Sequence, residues 1–87
     1  MKVEFHSGFT KNFNKRFGNN NKIKKKLFER SKLFQIDSTN SILKDHSLKG
    51  TKSEYRAFSV TGDIRVIYKI SNEIAYFVDI GTHNQVY

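Results

Sequence analysis

The sequence predicts one α+β domain spanning residues 1–87, with the element order β-α-α-β-β-β. In this fold a helical hairpin packs on one face of a small, largely antiparallel sheet. Three observations lead to the prediction. The length of 87 residues suits a single domain. Apolar residues recur with a helical period in the first half of the chain and with a period of two after residue 53. No proline interrupts these segments, and turn residues separate them.

A short strand and a first helix are predicted at the start of the chain. Val3 and Phe5 alternate with polar neighbours, as in a strand that buries one face. Ser7 is a candidate cap for a helix whose apolar stripe has a four-residue spacing. This stripe consists of Phe9, Phe13 and Phe17. The Gly and Asn residues at 18–21 end the helix, because both tolerate left-handed backbone angles.

A second helix is predicted from about Lys22 to Gln35, because its apolar residues again share one face. The two helices form a hairpin. After it, residues 37–40 indicate a turn, and Ile42 with Leu43 form a small apolar contact before a polar loop that runs to Ser53.

Three strands are predicted at about residues 54–60, 63–70 and 73–80, joined by turns at residues 61–62 and 71–72. If residues 71 and 72 form a two-residue turn, counting back pairs Arg65 with Val78 and Asp63 with Ile80. The same counting places Arg56 and Phe58 on the side of the sheet that carries Arg65. We therefore expect a cationic sheet face with an aromatic residue among its charges.

The positive charge is concentrated in the first half of the chain. The formal net charge is +8, and residues 1–52 hold thirteen of the sixteen Lys and Arg but only four of the eight acids. This asymmetry favours a polyanionic partner, either a nucleic acid or an acidic protein. Runs such as the lysines at 22–26 are most often a solvated helix face, and only their excess over acidic residues favours binding.

Several classes of protein are excluded or disfavoured by what the sequence lacks. No cysteine is present, so we expect neither disulfides nor a thiol nucleophile. The chain has no phosphate-binding glycine loop, and its histidines lack the spacing of metal sites, so no metal or small-molecule cofactor is expected. No apolar run is long enough to span a membrane, and the first residues do not resemble a signal segment. The expected location is the cytoplasm.

The residues that could carry chemistry are few. His46, Asp63 and His83 could transfer protons, and Arg56, Arg65 and nearby lysines could bind an anion. RNA cleavage without metal needs a base, an acid and cations that stabilise a five-coordinate phosphate. The alternatives are simple: either histidine could be a solvated or structural residue, and Arg65 could pair with Asp63 or Asp79.

Three segments resemble the RelE/YafQ superfamily of bacterial type II toxins. They are KDHSLKG at 44–50 with Tyr55 and Arg56 after it, GDIRVIYK at 62–69, and GTHNQVY at 81–87. Members of this superfamily are ribosome-dependent mRNA interferases that an antitoxin holds inactive. The resemblance implies a RelE-like fold and a metal-independent endoribonuclease that cleaves mRNA in the ribosomal A site and so inhibits translation. Its partners would be a cognate antitoxin, mRNA and ribosomal RNA.

The resemblance also assigns residues to roles. It implies that His46, Asp63 and His83 transfer protons, that Arg65 holds the scissile phosphate, and that Tyr87 closes the site. The residues expected to contact RNA or the ribosome are Lys22, Lys24, Lys25, Lys26, Lys49, Lys52 and Arg56. One departure is that Ser59 stands where YafQ-type members carry a further histidine.

Two other hypotheses stay open from the sequence. A ParE-type toxin of the same fold would inhibit DNA gyrase, although such members usually lack the ending that contains His83. A member with weak catalysis would act only by binding RNA or an antitoxin, as Ser59 allows.

Overall fold

Five strands form one mixed sheet in the computed structural model, which describes residues 1–87. The strands are β1 (Lys2–Phe5), β2 (His46–Ser47), β3 (Arg56–Ser59), β4 (Ile64–Ser71) and β5 (Ile74–Thr82), and the helices are α1 (Ser7–Phe17), α2 (Asn21–Ile36) and α3 (His83–Val86). The strand order across the sheet is β1-β5-β4-β3-β2. None of the helices is both long and apolar enough to cross a membrane.

The six predicted elements occur in the predicted order, with two differences in the sheet. Three of the four strand pairings are antiparallel, but β1 lies parallel to β5, so the sheet is mixed. The two-residue strand β2 and the four-residue helix α3 were not predicted. Both are too short to show a hydrophobic period.

The helical hairpin packs on one face of the sheet and forms the main core. Phe9 of α1 and Phe34 of α2 are buried against Phe58, Tyr68 and Phe77 of the three central strands. The Asn20 side chain accepts a hydrogen bond from the backbone N–H of Ile23 and so caps α2. Most aromatic rings of this core meet at tilted or edge-to-face angles, while Phe34 stacks on Phe58, and these contacts stabilise the core beyond simple burial.

The predicted register of the β4–β5 hairpin was wrong. The turn lies at Asn72 and Glu73, one residue later than expected, and both have positive φ angles of 52° and 65°. A bulge follows in β5, because Tyr68 pairs with Phe77 while Ile67 pairs with Asp79. Together these shifts place Arg65 opposite Gly81 rather than Val78. The expected pairing of Asp63 with Ile80 is likewise replaced by a pairing of Val66 with Ile80.

The predicted side of β3 was also wrong. The backbone N–H of Val60 bonds to the carbonyl of Ile64, so three residues form the β3–β4 loop instead of two. A one-residue shift moves every side chain of a strand to the other face. Phe58 is therefore buried in the main core, and Arg56 lies on the helix side. Ala57 and Ser59 occupy the open face where these two were expected.

Candidate active site

A cleft on the open face of the sheet is built by α3. Val86 packs on Ala57 and Ile67 in a second, smaller core, and this contact brings the end of the chain beside β2 and β4. The cleft has a volume of about 400 Å³. Its lining consists of His46, Ser47, Leu48, Lys49, Lys52, His83 and Tyr87.

Tyr87 contacts three of the predicted site residues. Its hydroxyl oxygen lies 3.3 Å from Nε2 of His46. Its ring meets the ring of His83 edge to face, with a centroid distance of 4.5 Å. The guanidinium carbon of Arg65 lies 5.9 Å from the centre of the same ring. The fold thus gathers two imidazoles, one guanidinium and one phenol at one place on the open face.

The hydrogen bonds of His46 define which of its nitrogens faces the cleft. Nδ1 lies 3.0 Å from the carbonyl oxygen of Lys44 and donates its proton to that oxygen. In the neutral ring, Nε2 then carries a free lone pair directed at the hydroxyl of Tyr87. His46 can therefore accept a proton from a group in the cleft.

Arg65 has no carboxylate partner. Its Nη1 donates to the hydroxyl oxygen of Ser59 at 3.2 Å, and its buried Nε has no partner. The alternative of an ion pair with Asp79 is not realised, because Asp79 pairs with Arg16 at 2.9 Å. The charge of Arg65 thus remains available to an anion in the cleft.

Asp63 stands apart from this cluster. It lies exposed in the β3–β4 loop, where its backbone N–H bonds to the hydroxyl of Thr61 at 3.2 Å. Its neighbour Ile64 pairs with Thr82, so Asp63 lies at the same end of the sheet as His83. Its carboxylate has no hydrogen bond or ion pair to the residues around Tyr87.

The predicted RNA-binding residues fall into three places. Lys49 and Lys52 line the cleft, and Nζ of Lys52 donates to the carbonyl of Val86 at 3.3 Å. Four of the predicted residues belong to α2, on the helix side of the sheet and away from the cleft; they are Lys22, Lys24, Lys25 and Lys26. Arg56 also lies on the helix side, in an ion pair with Asp45.

Comparison with known proteins identifies the family. Residues 1–87, the whole chain, match the model of a family described as the bacterial toxin of type II toxin-antitoxin system, YafQ. The chain belongs to the YafQ toxin family. This confirms the resemblance seen in the sequence. A search of curated proteins found no match.

Solved structures of YafQ toxins share this fold over almost the full chain. A mutant of YafQ from E. coli has a TM-score of 0.81 at 25% identity, covering 99% of this chain and 97% of that chain. The E. coli DinJ-YafQ complex gives 0.79 at 26% identity with the same coverage. A YoeB/ParE toxin from Agrobacterium tumefaciens, with a TM-score of 0.78, 15% identity and coverage of 95% and 99%, shares the fold alone.

Two further features bear on the chemistry of the cleft in this YafQ-family toxin. Ser59 occupies the position where the resemblance leads us to expect a histidine, and its hydroxyl bonds to Arg65 instead. Burial raises the pKa of Tyr87, although the nearby charge of Arg65 works in the opposite direction. The Tyr87 phenol is therefore neutral at physiological pH and can donate its proton to Nε2 of His46.

Sequence reasoning missed Asp45, which proves to be the carboxylate partner of Arg56. Its side chain is only 9% exposed, whereas the sequence places it in a polar loop among lysines and serines. The one available signal was its position directly before His46 in the KDH segment.

Proposed function

We propose that this toxin is an endoribonuclease that cleaves mRNA in the ribosomal A site without a metal ion, and so inhibits translation. The observation that carries the proposal is the gathering of His46, His83 and Arg65 around Tyr87 on one face of the sheet. Imidazoles suit both proton steps of RNA cleavage, because their ordinary pKa of about 6.5 lies near physiological pH.

The reaction needs only groups that the cleft contains. One imidazole accepts the proton of a 2′-hydroxyl, whose oxygen attacks the adjacent phosphorus. The bond to the 5′-oxygen then breaks, and the other imidazole, in its protonated form, donates a proton to that oxygen. The products are a 2′,3′-cyclic phosphate and a 5′-hydroxyl end. Arg65 stabilises the negative charge that develops on the five-coordinate phosphate, because no carboxylate in the protein neutralises its own charge.

Asp63 and the lysines have supporting roles in this proposal. Asp63 lies at the rim of the site, where it can act on a proton through RNA or water rather than through the Tyr87 cluster. Lys49 and Lys52 attract the RNA backbone into the cleft. The lysines of α2 contact ribosomal RNA from the other side of the protein.

A cognate antitoxin is the proposed protein partner. YafQ from E. coli has been solved in a complex with DinJ. In the present chain an apolar groove on the helix side is lined by Phe5, Phe13, Leu27 and Phe28, with Lys24 and Lys32 beside them. Phe28 is 63% exposed, which is unusual for so large an apolar side chain. An acidic amphipathic segment of the antitoxin would cover these rings and pair with the lysines.

Expression of the toxin without its antitoxin tests the function. We expect growth arrest, and primer extension on translating ribosomes should show mRNA cut within codons. A double variant, His83→Ala with Arg65→Ala, should grow normally and leave mRNA intact, whereas Lys11→Ala, on the exposed surface of α1, should remain toxic. Equal toxicity of the double variant would refute the nuclease proposal. Loss of gyrase supercoiling in the same cells would favour the ParE-type alternative instead.

A further inference from the structure

Three side chains from neighbouring strands form a polar cluster on the helix side of the sheet, which we call the Asp45 clamp. It consists of Asp45, Arg56 and Tyr68. Oδ1 of Asp45 accepts from Nε of Arg56 at 2.8 Å and forms an ion pair with Nη2 at 2.7 Å, and Oδ2 accepts from the hydroxyl of Tyr68. Nε of Arg56 also lies 3.3 Å from the Tyr68 hydroxyl oxygen. Both oxygens of the nearly buried Asp45 carboxylate therefore accept hydrogen bonds.

The clamp ties together the three strands at the β2 side of the sheet. Arg56 of β3 pairs in register with Tyr68 of β4 and with Ser47 of β2, and Asp45 directly precedes β2. Burial, and next the bond to Asp45, raise the pKa of Tyr68, so its hydroxyl keeps the proton that it donates. For Arg56, burial acts to lower the pKa, but the bonds to Asp45 and Tyr68 outweigh it and the pKa is raised.

Strand β2 needs such support. It contains only two residues and lies at the edge of the sheet, so it pairs with β3 alone. The residue before Asp45 is Lys44, which has a left-handed backbone with φ of 49°. A short edge strand after such a bend has few backbone hydrogen bonds to hold its direction.

The position of Asp45 determines the position of His46. Adjacent residues of an extended chain point to opposite faces, so anchoring Asp45 on the helix side directs His46 to the open face. The bend at Lys44 also presents its carbonyl oxygen to Nδ1 of His46. With Asp45 held, Nε2 of His46 faces the hydroxyl of Tyr87.

We propose that the Asp45 clamp positions His46 in the cleft, and that Arg56 acts through Asp45 rather than by contacting RNA. This proposal rests on the proposed nuclease function and adds Asp45, Arg56 and Tyr68 to it as positioning residues. A displacement of about 1 Å in a reacting group can reduce a rate by about a hundredfold. Greater mobility of β2 should therefore lower the rate of the cleavage step itself.

Cleavage kinetics with Arg56 variants distinguish positioning from RNA contact. We measure the single-turnover rate on programmed ribosomes and the toxin concentration that gives half of the maximal rate. For both Arg56→Gln and Arg56→Lys we expect the maximal rate to fall about tenfold to a hundredfold with the half-maximal concentration unchanged. Lysine keeps the charge, but its single nitrogen cannot replace both Nε, which bonds to Asp45 and Tyr68, and Nη2, which lies against Asp45. An RNA contact predicts the opposite: a raised half-maximal concentration in Arg56→Gln that Arg56→Lys restores.

Nitrogen-15 NMR of the histidine rings tests the clamp independently of catalysis. At about pH 8, where an ordinary imidazole is neutral, wild-type His46 should show one tautomer with the proton on Nδ1. Asp45→Asn and Tyr68→Phe should shift His46 towards a mixture of tautomers and leave His83 unchanged. Tyr68→Phe keeps the buried ring, and Leu27→Ala in α2 serves as a destabilised control whose His46 signals should not change.

The two measurements separate failure of the clamp from failure of the function. A wild-type chain that cleaves, with Asp45→Asn and Tyr68→Phe variants that keep both the cleavage rate and the His46 tautomer, overturns the clamp and leaves the nuclease proposal standing. If the wild-type chain does not cleave but the variants still change the His46 tautomer, the nuclease proposal is overturned. The positioning of His46 by the Asp45 clamp then still stands.

Discussion

Arg65 carries a charge that no carboxylate in the protein neutralises. Its Nη1 bonds only to the hydroxyl of Ser59, and its buried Nε has no hydrogen-bond partner. In folded proteins, buried polar atoms normally have one. A guanidinium offers a planar fork of donors that fits two phosphate oxygens, whereas a lysine ammonium acts as a point charge.

Arg65→Lys should therefore lose most of the cleavage activity while keeping the charge. We expect the single-turnover rate on ribosomes to fall about a hundredfold, the usual cost of removing one donor to a charged transition state. The thermal unfolding midpoint should stay close to wild type, since Arg65 makes no ion pair. Lys69→Ala is the control and should cleave normally; Lys69 lies four residues after Arg65 on the same face of β4. A fully active Arg65→Lys would contradict the phosphate role.

The raised pKa of Tyr68 predicts how the free energy of unfolding changes at alkaline pH. Burial and the bond to Asp45 raise its pKa in the folded chain, while the unfolded chain releases the proton at about pH 10. Above that pH the folded state binds more protons than the unfolded state, so the free energy of unfolding falls as pH rises. Urea unfolding between about pH 8 and 11 should show this decline, and Tyr68→Phe should make it shallower. Equal slopes for the two proteins would contradict the prediction.

Among single residues, the sequence located the cleft cluster better than it located the charged residues around it. Five residues were expected together, and the fold brings four of them together but leaves Asp63 apart; the four are His46, Arg65, His83 and Tyr87. Arg56 was placed on the wrong face, because its position depended on a turn length that a Thr-Gly-Asp sequence does not determine. The buried partner of Arg56 could not be predicted either, since burial of Asp45 is a property of the packed strands.

At the scale of elements, the long periodic segments were predictable and the short ones were not. The helices α1 and α2 and the strands β4 and β5 each show several apolar repeats, and their positions agree with the structure within two residues. Helix α3 shows one apolar residue, Val86, and β2 shows none. A capping box of Thr82 and Gln85 begins α3, and packing of Val86 in the second core determines where the helix lies.

Val86→Ala tests whether this docking holds the site together. Val86 is buried on Ala57 and Ile67, so its truncation should lower the free energy of unfolding by about 1–2 kcal/mol. It should also lower the cleavage rate about tenfold, because Val86 anchors the short helix that begins at His83 and is followed directly by Tyr87. Val3→Ala in β1 removes the same atoms beside the main core and should lose stability without a comparable loss of rate. An equal rate loss in both variants would indicate that destabilisation alone is responsible.

Across the whole molecule, basic residues lie on both sides of the sheet, whereas the candidate catalytic residues around Tyr87 lie on the open face alone. Lys49 and Lys52 line the cleft, and the lysines of α2 lie behind it on the helix side. A protein of net charge +8 that enters a site walled by ribosomal RNA would meet phosphates from several directions. The lysines of α2 would then contribute affinity for the ribosome and no part of the cleavage step.

Replacing four lysines in the first part of α2 by glutamine tests this separation; they are Lys22, Lys24, Lys25 and Lys26. Each phosphate contact that is lost should reduce the dependence of log affinity on log salt concentration by about 0.7–0.9. We therefore expect weaker binding to ribosomes and a salt slope shallower by up to about 3, with an unchanged cleavage rate at saturating toxin. Replacing Lys49 and Lys52 instead should reduce that rate, because these side chains lie in the cleft. If the α2 variant keeps the wild-type slope, its lysines form only a solvated helix face, and the ribosome must be bound through the open face of the sheet.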